Sequence, residues 1–253
     1  MCRSCDVFGA SSVGDDFGFG RAIVVMTSRC GSCSGGRGEL TLDTNIALET
    51  LRDYRDFDGA QHLVDIPGLS SPRVCNFLNR LVARMDADEH YLEVGTWKGR
   101  TLLSAAFHNF NRLCIGCDRF RFWGRFTGPG FIARRALYAN IRRYALESAK
   151  VELYDMPSRR LFSEAHVRSP VGVYFYDGDH SYEETFHGIM AAVPFLSPKS
   201  VLLMDDFNDP IIRCATREAI EAAKLRLLWQ RELPGNQDEI GWWNGLGVFF
   251  VAR

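Results

Sequence analysis

Apolar residues recur at helical spacing in a segment that begins near residue 70. Their positions follow the i, i+3, i+4, i+7 pattern of a single helix face. The apolar positions are Val74, Phe77, Leu78, Leu81, Val82 and Met85. Just before them, Ser71 supplies a capping hydroxyl and Pro72 suits the first helical position. We therefore predict a helix that starts after Ser71 and packs its apolar stripe on the sheet that follows.

Short apolar runs then alternate with helix-like segments to the end of the chain. The runs lie at 90–93, 113–117, 151–154, 171–176, 201–204, 225–233 and 246–252. Helical patterns at 101–110, 131–148, 159–167, 181–196 and 209–224 separate the first six runs. Apolar strands that alternate with helices indicate a parallel sheet covered on both faces. The last two runs have no helix between them, so we expect them to pair antiparallel. The predicted fold is a Rossmann-like, doubly wound α/β domain, with a mostly parallel seven-stranded sheet and an antiparallel C-terminal hairpin.

The N-terminal residues differ in composition from everything after them. Residues 1–40 are rich in Gly, Ser and Cys, and we predict a flexible tail there. Two CxxC pairs, Cys2/Cys5 and Cys30/Cys33, leave a small zinc module open as the alternative. We assign residues 41–88 to N-terminal helices that pack on the core, and residues 89–253 to the core domain.

Composition and charge narrow the class of protein. Hydrophobic residues make up 46% of the 253, charged residues 24%, and the formal net charge is −1. This balance argues against a general nucleic-acid or membrane-surface binder, which would carry a basic excess. No apolar run reaches the roughly 18 residues of a membrane helix, and no secretory signal is evident, so we expect a cytoplasmic protein. Cys114 and Cys117 have CxxC spacing but fall within one strand, on opposite faces, and we interpret them as structural.

Acidic residues end five successive predicted strands. They are Glu93, Asp118, Asp155, Asp177 and the pair Asp205/Asp206. In an open parallel sheet the carboxyl ends of the strands meet at one edge, and ligands bind there beside the point where strand order reverses. At the first of these ends, a turn containing Gly95 and Gly99 leads directly into a helix, an arrangement typical of nucleotide-type sites. The sequence therefore predicts a ligand site at this edge.

The segment Glu93-Val-Gly95-Thr-Trp-Lys-Gly99 resembles the first motif of class I S-adenosylmethionine-dependent methyltransferases. The resemblance implies that Asp118 binds the ribose hydroxyls of the cofactor and Asp155 its adenine amino group. Trp97 departs from the motif, since it stands where a glycine is usual. In the loop after Asp118, Phe120 is expected on the adenine face. The residues that the resemblance implies for S-adenosylmethionine binding are Glu93, Gly95, Thr96, Gly99, Thr101, Asp118, Arg119, Phe120, Asp155 and Asp177. The arginines of loop 119–129 are candidates to receive an anionic substrate.

A second segment, Tyr176-Asp-Gly-Asp-His-Ser-Tyr182, together with Met204-Asp-Asp-Phe207, resembles the branch of macrocin-type O-methyltransferases and cephalosporin-hydroxylase-like proteins. The resemblance implies that Asp177, Asp205 and Asp206 hold a divalent metal, and Mg²⁺ suits an all-carboxylate set. Asp179, or else His180, would then take the proton of the substrate hydroxyl. Whether a metal is required stays open at this point.

These resemblances predict a cytoplasmic methyltransferase that transfers a methyl group from S-adenosylmethionine to a hydroxyl of a small molecule, with a sugar as one candidate. We expect no specific nucleic-acid or membrane partner, and the sequence leaves a homo-oligomer open. Two alternatives come from other classes of protein. One is a dinucleotide-dependent oxidoreductase, which would call for a parallel last strand. The other is a non-catalytic module that keeps the cofactor pocket.

Overall fold

One mixed sheet forms the centre of the protein. The computed structural model describes residues 22–24, 65–120, 128–144, 150–167, 170–236 and 241–253. The strands in these ranges are β1 (Ala22–Val24), β2 (His90–Val94), β3 (Leu113–Asp118), β4 (Lys150–Asp155), β5 (Val171–Tyr176), β6 (Leu196–Met204), β7 (Arg226–Leu233) and β8 (Leu246–Ala252). The helices are α1 (Pro72–Ala83), α2 (Arg100–Ala106), α3 (Gly128–Tyr144), α4 (Ser158–Ser163), α5 (Tyr182–Ala192) and α6 (Pro210–Ala222), with a short 3₁₀ turn at Val193–Phe195.

The strand order is β1-β4-β3-β2-β5-β6-β8-β7. Strands β4, β3, β2, β5 and β6 are parallel, while β8 pairs antiparallel with both β6 and β7. Without β1, this is the predicted seven-stranded sheet with its antiparallel C-terminal hairpin, and the fold prediction is confirmed. Strand order reverses between β2 and β5, so the carboxyl ends of these two strands flank the crevice in which ligands of such sheets bind.

Strand β1 is an addition that the sequence did not predict. It pairs antiparallel with β4, with Ala22 opposite Tyr154 and Val24 opposite Glu152. A three-residue strand carries too short a pattern to be distinguished from a loop. The cysteine pairs of residues 1–40, and the proposed N-terminal helices up to residue 64, lie outside the described residues. The predicted tail and its zinc alternative therefore stay predictions.

Helix α1 begins as predicted. The Ser71 hydroxyl accepts a hydrogen bond from the Val74 amide at 3.2 Å, and Pro72 occupies the first helical position. Its predicted apolar stripe is fully buried and joins one of the two main hydrophobic clusters. Cys114 belongs to this cluster, whereas Cys117 belongs to the cluster on the other face of the sheet. The two thiols therefore fill the core on opposite faces, as expected for structural cysteines.

Helix α2 ends earlier than predicted, at Ala106 instead of residue 110. The Asn79 amide of α1 donates to the carbonyl of Ser104 at 2.8 Å and to that of Phe107 at 2.7 Å. These contacts supply a side-chain donor to carbonyl groups at the end of the helix, where regular intrahelical donors run out. His108 then adopts a left-handed φ of 55°, which turns the chain toward β3.

None of the helices in the described ranges is long and apolar enough to cross a membrane.

Replacing Phe77 with alanine tests the packing of α1 on the sheet. Phe77 is fully buried and meets the Trp242 ring edge-on, with the ring centroids 5.8 Å apart. The Phe77→Ala variant should lose about 3–5 kcal/mol of unfolding free energy, because the removed ring leaves a cavity. Urea denaturation measures the loss. Phe110→Ala is the matched control, since the Phe110 ring is 50% exposed, and an equal loss in both variants would contradict the packing described.

Candidate active site

A cavity of about 970 Å³ lies at the carboxyl ends of β2, β3, β5 and β6. Most of the predicted site residues line it: Gly95, Thr96, Thr101, Asp118, Arg119, Phe120, Asp177, Asp179, His180, Asp205 and Asp206. Glu93, Gly99 and Asp155 do not. The residues predicted to bind the cofactor and those predicted to perform the chemistry thus share one cavity.

Gly95 allows the ends of β2 and β5 to approach closely. Its φ is +94°, and a Cβ atom there would lie 1.7 Å from the Asp177 carbonyl oxygen. The Asp177 amide donates to the Val94 carbonyl at 2.8 Å, and the Gly95 amide donates to the Cys117 carbonyl at 2.8 Å. The expected role of this glycine was close approach to a ligand. In the structure, the close contact that excludes a side chain is made by the backbone of Asp177.

Asp118 fixes the backbone on two sides of the cavity. One oxygen accepts a hydrogen bond from the Trp97 amide and the other from the Phe120 amide, each at 2.8 Å. Both donor residues have left-handed backbones, with φ of 46° and 45°, a conformation that costs energy for any residue with a side chain. Trp97 stands where the resembling motif has glycine, and the Asp118 carboxylate is the group that holds it there. Burial raises the pKa of Asp118, although the two hydrogen bonds act to lower it.

Glu93 lies in the core and not on the cavity wall. Its side chain is 0% exposed and accepts hydrogen bonds from the hydroxyls of Tyr91 at 2.6 Å and Thr101 at 2.9 Å. Burial raises its pKa to about 8. Thr101 does line the cavity, so Glu93 is placed to orient Thr101.

Asp155 is engaged by a helix. Its carboxylate accepts a hydrogen bond from Arg134 Nε of α3 at 2.7 Å, and only 15% of its side chain is exposed. The residues that follow it, Met156, Pro157 and Ser158, line the cavity instead. The sequence showed that an acid ends β4 but gave no indication of this pairing.

An acidic cluster around His180 forms another part of the cavity lining. His180 Nδ1 lies 2.9 Å from Asp206 Oδ2, and Nε2 lies 3.7 Å from Asp177 Oδ1. The neighbouring carboxylates of Asp177 and Asp206 raise the pKa of His180 to about 10, so the ring is an imidazolium near neutral pH. Asp205 is 6% exposed, and its Oδ1 atom has no hydrogen-bond partner among the described residues. Burial, followed by the charges of Asp177 and Asp206, raises the pKa of Asp205.

Asp179 lines the cavity and is ion-paired. Its carboxylate lies 2.8 Å from Arg119 Nη2 and accepts a hydrogen bond from the Ser181 amide at 3.1 Å. Partial burial works to raise the pKa of Asp179, but the hydrogen bonds from Ser181 and the charge of Arg119 outweigh it and lower the pKa. Arg119, predicted to bind the cofactor, is thus engaged by the predicted base. The remaining loop arginines fall in residues 121–127, outside the described ranges.

The acidic cluster does not present a ready metal site. Within the described residues, no group of three or more His, Cys, Asp or Glu side chains is arranged to hold a metal ion. The His180 ring lies against two of the three expected ligands, Asp177 and Asp206. In this arrangement the side chains do not fit the Mg²⁺ that the sequence resemblance implied.

Two further segments of the wall were missed by sequence reasoning. One is the stretch from Pro67 to Ser70 before α1, and the other is Trp243 with Asn244 before β8. Ser71 links the two segments, because its hydroxyl donates to the Gly241 carbonyl at 2.6 Å. The run Trp-Trp-Asn-Gly between the last two strands is the one available signal, since aromatic residues in a connecting loop suggest contact with a ligand.

Comparisons with known proteins identify the domain. Residues 92–207 match the family model of a methyltransferase domain. Residues 92–207 form a class I S-adenosylmethionine-dependent methyltransferase domain. No curated protein sequence matches the chain.

Solved structures of methyltransferases share the fold of the chain. The O-methyltransferase from Bacillus cereus in complex with SAH is similar, with a TM-score of 0.54, 16% identity, and coverage of 81% of this chain and 91% of that one. A proposed caffeoyl-CoA O-methyltransferase from Staphylococcus aureus has a TM-score of 0.52 and 13% identity, covering 81% and 92%. A proposed O-methyltransferase from Klebsiella pneumoniae has a TM-score of 0.50 and 15% identity, covering 87% and 92%. At these identities the similarity establishes the methyltransferase fold and not the acceptor.

Replacing Glu93 with glutamine should change how stability depends on pH. An unfolded glutamate ionises at about pH 4.3, whereas folded Glu93 keeps its proton up to about pH 8. The folded state therefore binds more protons than the unfolded state in this window, and its stability falls as pH rises, by up to about 1.4 kcal/mol per pH unit from this group. Glu93→Gln should lack this loss, so its unfolding free energy relative to wild type should increase from about pH 5 to about pH 8.

Urea denaturation across that pH range measures the effect. Glu221→Gln is the control, because Glu221 is exposed on α6, and it should keep the wild-type dependence. Parallel curves for wild type and Glu93→Gln would show that Glu93 ionises normally.

Replacing Asp118 with asparagine should weaken cofactor binding. The amide nitrogen that replaces one carboxylate oxygen cannot accept a hydrogen bond, so Trp97 or Phe120 loses its partner. Loss of one charge-assisted hydrogen bond corresponds to about 1.5–3 kcal/mol, or about 10–100-fold in affinity for S-adenosylhomocysteine. Calorimetric titration measures this, with Glu221→Gln as the control. If the Asp118→Asn variant binds S-adenosylhomocysteine with wild-type affinity, Asp118 does not contribute to the binding site.

Proposed function

We propose that this methyltransferase domain methylates a hydroxyl group of a small molecule. The observation that carries the proposal is the continuity of one cavity, from the glycine turn at Gly95 to the cluster around His180. A volume of about 970 Å³ is at the upper end of small-molecule pockets, which is consistent with room for an acceptor beside the cofactor. O-methyltransferases among the solved structures of the same fold support this class of acceptor.

In this proposal the first half of the cavity binds S-adenosylmethionine. Asp118, already held at the end of β3, receives the ribose hydroxyls, and the buried Phe120 ring supports the adenine. Thr96 lines the same part, and its hydroxyl has no hydrogen-bond partner among the described residues. Glu93 acts on the cofactor through Thr101. Asp155 reaches the adenine amino group only if its contact with Arg134 opens.

The second half of the cavity receives the acceptor. The hydroxyl oxygen attacks the sulfonium methyl carbon in line, the carbon–oxygen bond forms as the carbon–sulfur bond breaks, and the proton goes to a base. Asp179 is the preferred base, and it becomes available when Arg119 turns from it toward a ligand. His180, held as an imidazolium, orients the acceptor oxygen by donating from Nε2, which lies 3.7 Å from Asp177 and makes no close hydrogen bond there. Positioning of the two reactants supplies much of the rate.

Two observations oppose the alternative functions. A non-catalytic module would be favoured if Asp179, Asp205 and Asp206 pointed away from the cavity, but all three line it. A dinucleotide-dependent oxidoreductase calls for a parallel last strand, and β8 is antiparallel to both of its neighbours.

The proposal also includes a cytoplasmic location, a sugar as the acceptor, and the absence of nucleic-acid and membrane partners.

A ligand panel tests the proposal. S-adenosylmethionine and S-adenosylhomocysteine should each raise the melting temperature, while NAD should not. With methyl-labelled cofactor and a library of phenols, sugars and amines, label should appear in hydroxyl compounds and should depend on Asp179. Stabilisation by NAD alone would contradict the assignment of S-adenosylmethionine as the cofactor. Label confined to amines would leave a methyltransferase whose acceptor is not a hydroxyl.

A further inference from the structure

The position of His180 points to a role that neither the sequence motif nor the proposed reaction assigns to it. We infer that the His180 side chain occupies the place of a divalent cation among Asp177, Asp205 and Asp206, so that imidazole and metal compete for the same carboxylates. This inference rests on side-chain contacts within the cluster. It depends neither on the identity of the acceptor nor on methyl transfer.

The His180 ring contacts two carboxylates. Its two nitrogens face two different carboxylates, Asp206 at 2.9 Å and Asp177 at 3.7 Å. A Mg²⁺ ion binds carboxylate oxygens at about 2.0–2.1 Å, so two oxygens on one ion lie within about 4 Å of each other. Because the ring lies against both of these oxygens, an ion that joined Asp177 Oδ1 and Asp206 Oδ2 would have to take the place of the ring. The ring must leave before a metal enters.

Asp205 is the third carboxylate of the cluster. It is almost fully buried, it lines the cavity, and its Oδ1 atom has no hydrogen-bond partner among the described residues. A buried carboxylate oxygen without a partner is costly, and a cation removes that cost. The His180 ring contacts Asp177 and Asp206 but not Asp205, and although the Asp205 carboxyl group is hydrogen-bonded to the Asp177 side chain, its Oδ1 atom keeps room for a cation.

The location of His180 allows the ring to leave without disturbing the core. The residue lies between β5 and α5, and its side chain is 43% exposed. Shortening this side chain should therefore open the cluster while β5 and α5 stay folded. Three carboxylates from two strand ends then face one space, which is the kind of oxygen-rich site that hard divalent cations prefer.

Titration with Mn²⁺, followed by electron paramagnetic resonance at constant pH, tests the inference. The His180→Ala variant should bind one Mn²⁺ at least about tenfold more tightly than wild type, since no contact with the ring has to be broken. Adding Asp205→Asn to His180→Ala should abolish the gain. His187→Ala is the matched control, because His187 is exposed on α5, and it should bind as wild type does.

Each result decides the inference. A gain smaller than tenfold, no binding by either protein, or a gain that survives Asp205→Asn would overturn it. Circular dichroism and thermal melting establish that the variants fold. If His180→Ala does not fold, His180→Asn replaces it, because the shorter amide cannot span Asp177 and Asp206, and the same thresholds apply.

Discussion

The close approach of two strand ends is the constraint on which the cavity depends. Only a residue without a side chain fits at Gly95, where the Asp177 carbonyl would lie 1.7 Å from a Cβ atom. The contact joins the carboxyl ends of β2 and β5, at the point where strand order reverses. Because of it, the turn that carries Thr96 and the segment that carries Asp179 and His180 open into the same space. A larger residue here would separate the two halves of the active site.

Asp118 extends this constraint to the neighbouring strand. By binding the amides of Trp97 and Phe120, it holds two strained backbones at once. Strain of this kind persists when surrounding contacts over-determine it. The carboxylate therefore shapes the pocket before any cofactor binds. This explains how tryptophan can stand at a position where related motifs have glycine.

The sheet could be predicted from the sequence because its rules are local. Strand and helix periods, and the missing helix before β8, determined the layers, the direction of the hairpin and the edge at which the acids gather. Helix ends were less predictable. Helix α2 ends where the Asn79 side chain of α1 donates hydrogen bonds to the carbonyl groups of Ser104 and Phe107. The partners of the acids lay beyond sequence reasoning altogether. Arg134 with Asp155, and Arg119 with Asp179, are pairs between distant segments, and no spacing rule relates them.

These internal pairs also bear on the chemistry of methyl transfer. The methyl donor, S-adenosylmethionine, carries a positive sulfonium whose charge disappears as the methyl group moves to the acceptor. Free carboxylates close to the sulfonium would stabilise the cofactor more than the transition state, and binding of that kind does not raise the rate of the chemical step. In this cavity, Arg119 engages Asp179 and the His180 imidazolium engages Asp206. The protein thus keeps many acids at one sheet edge while limiting the negative charge that a cofactor bound in this cavity, as proposed, would meet.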